Sequence, residues 1–424
     1  MIYHITKGGL CDNVLIDLPA SKSLSNRALI MRGLCQNSCE ISHISDCDDT
    51  RVMLAAHSTD ESTYNYEGGY RIIDIGAAGT SMRFLTAFFA SKDGAKVIMT
   101  GSERMRQRPI SVLVDALRSL GADIQYAEAE GFPPLRIEGK KLEGGRLEID
   151  GSISSQYISA LLMIAPTLQK GLELHLLGNV TSVPYIKMTL SMMSDFGVKS
   201  EWNGNVIDIA PQQYNVQEFA VESDWSAASY WYEVLALSKD INSIRLKGLH
   251  LDSTQGDCHI ADYFAELGIS TEACDEGVVI KRIDKPLPKK VNWDMSSQPD
   301  LAQTMIATCC ALGVHFDITG LHTLRIKETD RIAAMEAELS KLGYSVSDKD
   351  DREMMWDTDN TDVTPTSPIA TYHDHRMAMA FAPLALSSKT GHIDIADPEV
   401  VSKSYPSYWD DIKSIGFNIT EISC

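Results

Sequence analysis

Residues 114–126 read VDALRSLGADIQY: an amphipathic helix, a glycine, then the alternating pattern of a strand. Gly121 is expected in the left-handed conformation that closes such a helix, and the residues after it change from a helical to a strand period. The same phrase returns as MTLSMMSDFGVKSEW (188–202), ADYFAELGISTEA (261–273), MEAELSKLGYSVS (335–347) and YWDDIKSIGFNIT (408–420). Its glycines, Gly121, Gly197, Gly268, Gly343 and Gly416, are separated by 76, 71, 75 and 73 residues. A degenerate earlier copy lies in TRVMLAAH (50–57), where the closing glycine is missing. Helix–glycine–strand is common punctuation in α/β proteins, but spacing this even points to an internal repeat. Six units of roughly 70 residues make two domains of three units each. The class is mixed α/β with hairpins, not a purely parallel doubly wound sheet. The count sets the boundary near residues 221–224, where no Ser/Gly-rich linker occurs.

A chain of 424 residues is too long for one hydrophobic core. Apolar residues make up 44% and charged residues 23%, the balance of a folded soluble protein. Thirty-eight Lys and Arg against 58 Asp and Glu leave a net charge of −20. That excess repels nucleic-acid backbones and anionic membranes, so neither is expected as a partner. Small anions stay possible, because a local cluster of cations can oppose the global balance. The start, MIYHITKGGL, lacks the cationic and apolar segments of a signal peptide. The apolar stretches 158–168 and 377–386 are too short to span a bilayer and read as buried helices. Nine cysteines include no CxxC pair, and the adjacent Cys309 and Cys310 fall in an apolar helical run. Small core thiols in a reducing cytoplasm are expected.

Short polar clusters recur just ahead of apolar helices: Ser21-Lys22-Ser23, Gly79-Thr80-Ser81, Ser154-Ser155-Gln156, Ser182-Val183-Pro184-Tyr185 and Asp374-His375-Arg376. Helix starts carry free N–H groups and partial positive charge, so they bind phosphates and carboxylates. Each cluster alone is explained by helix capping; five together, several with Lys or Arg, point to an anion site shared by both halves. Arg27 follows Ser23 by four residues, on the same helical face. The loop GSERMRQRP carries Arg104, Arg106 and Arg108. In RIKETDRI, Lys327 and Arg331 are spaced to share a helical face beside Glu328, either as a salt-bridge ladder or as an anion clamp. His373 and His375 flank one residue and cannot face one metal from a helix, so no metal is expected. GxxxxGK[ST], GxGxxG and GxSxG are all missing, which removes P-loop, dinucleotide and acyl-hydrolase readings.

The stretches LPASKSLSNRALI, AAGTSMRFLTAF, GSERMRQRPISVLVDALRSLGA, SSQYISALLMIAP, SVPYI, QPDLAQTMIAT, RIKETDRI, TYHDHRMAMAFAPLAL and VVSKSYP run in order from Leu18 to Pro406. In them the chain resembles the enolpyruvylshikimate-phosphate synthase (3-phosphoshikimate 1-carboxyvinyltransferase) family. The resemblance implies two domains of three βαβαββ-type units each around buried helices, closing like a clamshell. With the N-terminal strand pairing into the second half, the domains become 20–221 and 1–19 plus 222–424. It implies transfer of the enolpyruvyl group of phosphoenolpyruvate to the 5-hydroxyl of shikimate 3-phosphate, releasing phosphate, without metal or organic cofactor. A cytoplasmic monomer whose partners are these two small molecules is expected.

By resemblance, Lys22, Ser23, Arg27, Ser154, Ser155, Gln156, Ser182, Tyr185, Asp300 and Lys327 hold shikimate 3-phosphate. Lys22, Gly79, Arg108, Gln156, Arg331, Arg376 and Lys403 resemble the phosphoenolpyruvate set. Glu328 is the candidate donor of a proton to the methylene carbon, Asp300 the base at the 5-hydroxyl, and Lys22 a third proton carrier. Ala77 and Thr323 stand where the family usually has Asn, which bears on substrate affinity and on glyphosate, an inhibitor of the family. The sister family acting on UDP-N-acetylglucosamine carries a reactive Cys in the loop that reads GSERMRQRP here, without one. A non-catalytic repeat scaffold, its polar helix starts serving only as caps, is the alternative of another class.

Overall fold

The computed structural model describes residues 1–152, 154–358, 367–388 and 391–422. The chain divides into two compact units, an N-terminal one spanning Lys22–Val221 and a C-terminal one made of Met1–Ser21 and Glu222–Cys424. Ala20 and Ser21 go with the C-terminal unit: Ala20 bridges Ser223, and the Ser21 N–H donates to the Glu222 carbonyl.

The repeat read from the glycines is a repeat of topology. In the N-terminal unit the order is strand Tyr70–Asp74, helix Gly79–Ser91, strand Lys96–Thr100, helix Ser111–Ser119, then strands Asp123–Tyr126 and Leu135–Glu138. The first two strands pair in parallel, the fourth lies antiparallel to the second, and the third forms a hairpin with the fourth. Gly145–Asp150, Ser155–Ile164, Leu172–Leu177, Val183–Asp195, Glu201–Asn203 and Val206–Ile209 repeat this order and pairing. So do Lys290–Asp294, Ala302–Leu312, His315–Thr319, Arg331–Lys341, Ser347–Lys349 and Glu353–Trp356 in the C-terminal unit.

Another copy begins with Val14–Asp17, which pairs in parallel with Ser243–Lys247 although the whole N-terminal unit lies between them in sequence. The last copy, with helices His375–Phe381 and Tyr408–Ser414 and strands His392–Ala396 and Phe417–Ile422, takes its central strand, Ile2–Lys7, from the chain's start. The degenerate copy keeps Lys22–Leu34, Glu40–Ser42 and Asp48–His57, and its last helix stops at Ser58 without a glycine. All five closing glycines have positive φ, from 81° at Gly197 to 107° at Gly416, where a side chain would be strained.

Apart from Lys22–Leu34, which carries Ser23, Ser25, Asn26 and Arg27, the first helix of each copy is apolar nearly all round and therefore buried on nearly every side. Within Ser155–Ile164 only Gln156 is not buried, and within Trp225–Leu237 only Ser226. Each fully buried Leu or Phe on them contributes about 1.5–3 kcal/mol. Burial along the shaft leaves the polar first turn as the part of each inner helix that can meet a ligand. No helix among the described residues is long and apolar enough to cross a membrane.

Candidate active site

In the N-terminal unit, three inner helices start close enough to bond to one another. Lys22 opens the helix Lys22–Leu34, and its Nζ lies 3.3 Å from Asp49 Oδ2. Ser81, in the first turn of Gly79–Ser91, donates to the Asp49 carbonyl at 3.0 Å. Gln156 Nε2 donates to Thr80 Oγ1 at 3.1 Å, joining the third helix start to the second. Ser154 caps that third helix, its hydroxyl accepting from the Gln156 N–H. Gly79 lies under Arg108: a Cβ there would be 2.6 Å from Arg108 Nη1. Arg108 is 7% exposed, and its buried Nε has no hydrogen-bond partner among the described residues. Nothing but a glycine fits beneath that guanidinium without displacing it.

Arg27 is 3% exposed. Its Nε donates to Thr189 Oγ1 at 2.8 Å, one Nη to the Ser23 carbonyl at 2.9 Å and the other to Ser159 Oγ at 3.3 Å. These three partners carry no charge, and burial pulls the guanidinium down to about 10, still charged at neutral pH. Thr189 accepts from Arg27 while donating to the Tyr185 carbonyl at 2.8 Å, so Tyr185 is tied to the same cluster. Ser182 takes a left-handed φ of 53° at the cap of Val183–Asp195, and its carbonyl accepts from the Tyr185 N–H.

In the C-terminal unit the hub is Arg331, 2% exposed. It meets three carboxylates: Nε donates to Asp374 Oδ2 at 2.7 Å, Nη1 to Asp300 Oδ1 at 2.9 Å and Nη2 to Glu328 Oε2 at 2.9 Å. Lys327 Nζ reaches the same Asp300 Oδ1 at 3.1 Å, and Arg376 Nη2 reaches Asp300 Oδ2 at 3.3 Å. Partial burial pushes the Asp300 carboxyl up, but Lys327, Arg376 and Arg331 outweigh it and hold the group well below the usual carboxylate range. Asp374 is fully buried and caps the helix His375–Phe381, accepting from the Arg376 N–H at 2.9 Å. One carboxylate thus holds the Arg331 guanidinium and fixes the backbone from which Arg376 projects. Lys403 Nζ donates to the His373 carbonyl at 2.6 Å. Tyr372 and His373 both have positive φ just ahead of Asp374, backbone strain of a kind that concentrates at functional sites.

Lys22 and Ser81 therefore meet at Asp49 and Gln156 joins Thr80, with Arg108 over the adjoining Gly79; Ser23, Arg27 and Tyr185 form a second set, also in the N-terminal unit. Asp300, Lys327, Glu328, Arg331 and Arg376 form a third, in the C-terminal unit. Lys403 is tied to the segment ahead of Asp374. The expected single helix through Lys327 and Arg331 needs correction. The segment Leu324–Ile326 is one 3-10 turn, Lys327 is extended, and the next helix begins at Arg331. Asp330 is the reason: its side chain accepts from the Ala333 N–H as an N-cap, which stops the helix from running further back. Arg325 anchors the bend by pairing with Asp330 and Asp348 at 2.8 and 2.7 Å.

Several partners escaped the sequence. Asp49, Ser159 and Thr189 carry no local signal for their roles. Asp224 and Ser226 do: they form another polar cluster ahead of an apolar helix, with Asp224 as its cap. Ser226 Oγ hydrogen-bonds Asp257 and lies 3.4 Å from Arg376 Nη2. Burial drives the Asp257 carboxyl up to about 6, against the pull of Arg376. Thr323, standing for the family's Asn, has a buried hydroxyl with no hydrogen-bond partner among the described residues.

Residues 13–412 match the family model EPSP synthase (3-phosphoshikimate 1-carboxyvinyltransferase). A Bacteroides fragilis (strain YCH46) protein named 3-phosphoshikimate 1-carboxyvinyltransferase is 51% identical over 405 residues, 95% of each chain. One of the same name from Histophilus somni (strain 2336) is 37% identical over 426 residues, 95% of this chain and 96% of that one. Among solved structures, an EPSP synthase from Acinetobacter baumannii has the same fold, with a TM-score of 0.76 at 20% identity over 99% of this chain and all of that one. A match this long, to relatives this similar, over a chain that carries the SKS-x-SNR, KETDR and DHRMAM residues just described, places the protein in the EPSP synthase (3-phosphoshikimate 1-carboxyvinyltransferase) family.

Proposed function

We propose that the chain transfers the enolpyruvyl group of phosphoenolpyruvate to the 5-hydroxyl of shikimate 3-phosphate. The observation that carries the reading is the crowding of Lys327, Arg331 and Arg376 within 3.3 Å of a single carboxylate, Asp300. Glu328 and Asp374 balance the other two charges and hold the cations in place, and each substrate brings a phosphate and a carboxylate that can take over their donors. Arg331, Arg376, Lys403, Arg108, Lys22 and Gln156 hold phosphoenolpyruvate, with Gly79 leaving room for its phosphate. Arg27, Ser23, Ser154, Ser155, Gln156, Ser182, Lys22 and Lys327 hold shikimate 3-phosphate against Tyr185.

The chemistry then follows from which protons move. Glu328 gives a proton to the methylene carbon of phosphoenolpyruvate, and the 5-oxygen bonds to the neighbouring carbon as Asp300 takes its proton. A methyl proton then leaves, the carbon–oxygen bond to phosphate breaks and the double bond returns. Asp300 is ionised but weakly basic while three cations share it. As anions draw those cations away, its basicity rises when substrate is in place. Lys22, beside Asp49, is a third group able to carry a proton.

Phosphate release from phosphoenolpyruvate, measured with shikimate 3-phosphate and separately with UDP-N-acetylglucosamine, tests the reading. Release only with shikimate 3-phosphate is expected. Release only with the sugar nucleotide overturns the acceptor, and none with either favours a non-catalytic scaffold.

A further inference from the structure

Away from the residues above, two histidines and an aspartate converge on the sheet that closes the C-terminal unit. His4 lies on Ile2–Lys7, and His392 and Asp394 lie on the neighbouring strand His392–Ala396. His4 pairs directly with Asp394, while His392 pairs with Thr6, one side-chain repeat along the same face. Ile5, Ile393 and Ile395 alternate with them and fill the core, so the two histidines and the aspartate share the opposite face. His4 Nδ1 is 2.6 Å from Asp394 Oδ1, and the two imidazole centroids are 4.7 Å apart. One ring nitrogen from each histidine and one Asp394 oxygen lie within 4.8 Å of one another, the only such trio among the described residues. A cavity of about 120 Å³, lined by His392, Asp394, Ser367 and Pro368 among others, opens beside them.

We propose that His4, His392 and Asp394 bind one divalent transition-metal ion of the zinc class, and that the ion clips the first strand of the chain to its last repeat. The donor set suits it: two imidazoles and a carboxylate give three of the four ligands of a tetrahedral zinc, with water as the fourth. Calcium and magnesium prefer all-oxygen shells, which this trio does not offer. Zinc–nitrogen and zinc–oxygen bonds of about 2.0–2.2 Å need donor atoms about 3.3 Å apart. Small rotations of the three side chains, opening the present His4–Asp394 contact, achieve this. A neutral histidine that binds through Nδ1 carries its proton on Nε2, so no acid or base is required. Residues 4 and 392 are 388 positions apart in the sequence, so the ion would close a long loop, and would stabilise the sheet by linkage. The expectation of no metal rested on His373 and His375 and on the family's reaction, and did not weigh this trio.

The test is zinc titration of the chelator-stripped full chain by calorimetry, with cobalt absorption as a second readout of coordination. One ion per chain is expected, with binding weakened more than about 100-fold in His4→Gln and in His392→Gln. At zinc about 100-fold above its dissociation constant, Tm should rise by roughly 5 °C in the wild type and not in the variants. Phosphate release should be the same in all three proteins, which also shows the variants are folded. Absence of one-to-one binding, unchanged affinity in either variant, or binding without a Tm shift would each refute the clip.

Discussion

Asp374→Asn isolates what one buried carboxylate does for two arginines. Asp374 is fully buried, accepts from Arg331 Nε at 2.7 Å and caps the next helix through the Arg376 N–H at 2.9 Å. Asparagine keeps the volume and one oxygen, which can still accept from the Arg376 N–H. Its amide nitrogen then faces the Arg331 Nε–H, donor against donor. Removing one partner of a buried ion pair costs about 3–5 kcal/mol. Asp300 and Glu328 remain on Arg331, so about 2–3 kcal/mol is expected here. For a unit of this size that corresponds to a Tm lower by roughly 4–10 °C. A guanidinium displaced by about 1 Å should also lower kcat/KM for phosphoenolpyruvate by about 100-fold. Urea denaturation and steady-state phosphate release read the two effects separately. A urea-derived stability within about 0.5 kcal/mol of wild type, together with kcat/KM within about threefold, would show that Asp374 does not hold the arginines.

Gly79→Ala would place a Cβ 2.6 Å from Arg108 Nη1. Because the far end of a flexible side chain gives way, Tm should hold while KM for phosphoenolpyruvate rises by about 10–100-fold; an unchanged KM would separate Arg108 from that substrate. Asp257, raised by burial from 3.8 to about 6, should impose a pH dependence on stability. Between those values the folded chain keeps a proton that the unfolded chain releases. Its contribution is therefore full below about pH 4 and is lost as pH rises through about 6, a change of about 3 kcal/mol. Urea midpoints compared with Asp257→Asn should diverge across that window and run parallel above it; parallel curves throughout would contradict the assignment.

The repeat was legible because its punctuation is a backbone requirement: five glycines hold positive φ where other residues would strain, and they recur in every topological unit but the degenerate one. The strand Ile2–Lys7 was not placed by periodicity, since its partners lie near the other end of the chain and only the family resemblance pointed there. The anion-binding clusters were visible because a buried apolar helix concentrates its polar residues in the first turn. Their supporting partners were not, because long-range packing brings them in: Thr189 meets Arg27 across 162 residues, and Asp257 meets Ser226 from a separate turn. The segment around Lys327 was misread as helix because spacing alone cannot tell an i,i+4 pair from two residues bent toward one carboxylate. The capping geometry of Asp330 decides it.

Turnover in 2H2O, with the product weighed by mass spectrometry, tests the transfer chemistry most directly. Addition followed by elimination passes through a methyl group, so the product should be shikimate 3-phosphate carrying an enolpyruvyl ether with deuterium in its vinyl methylene. Phosphate released without that ether, or the ether formed with no deuterium at the methylene, would contradict the account.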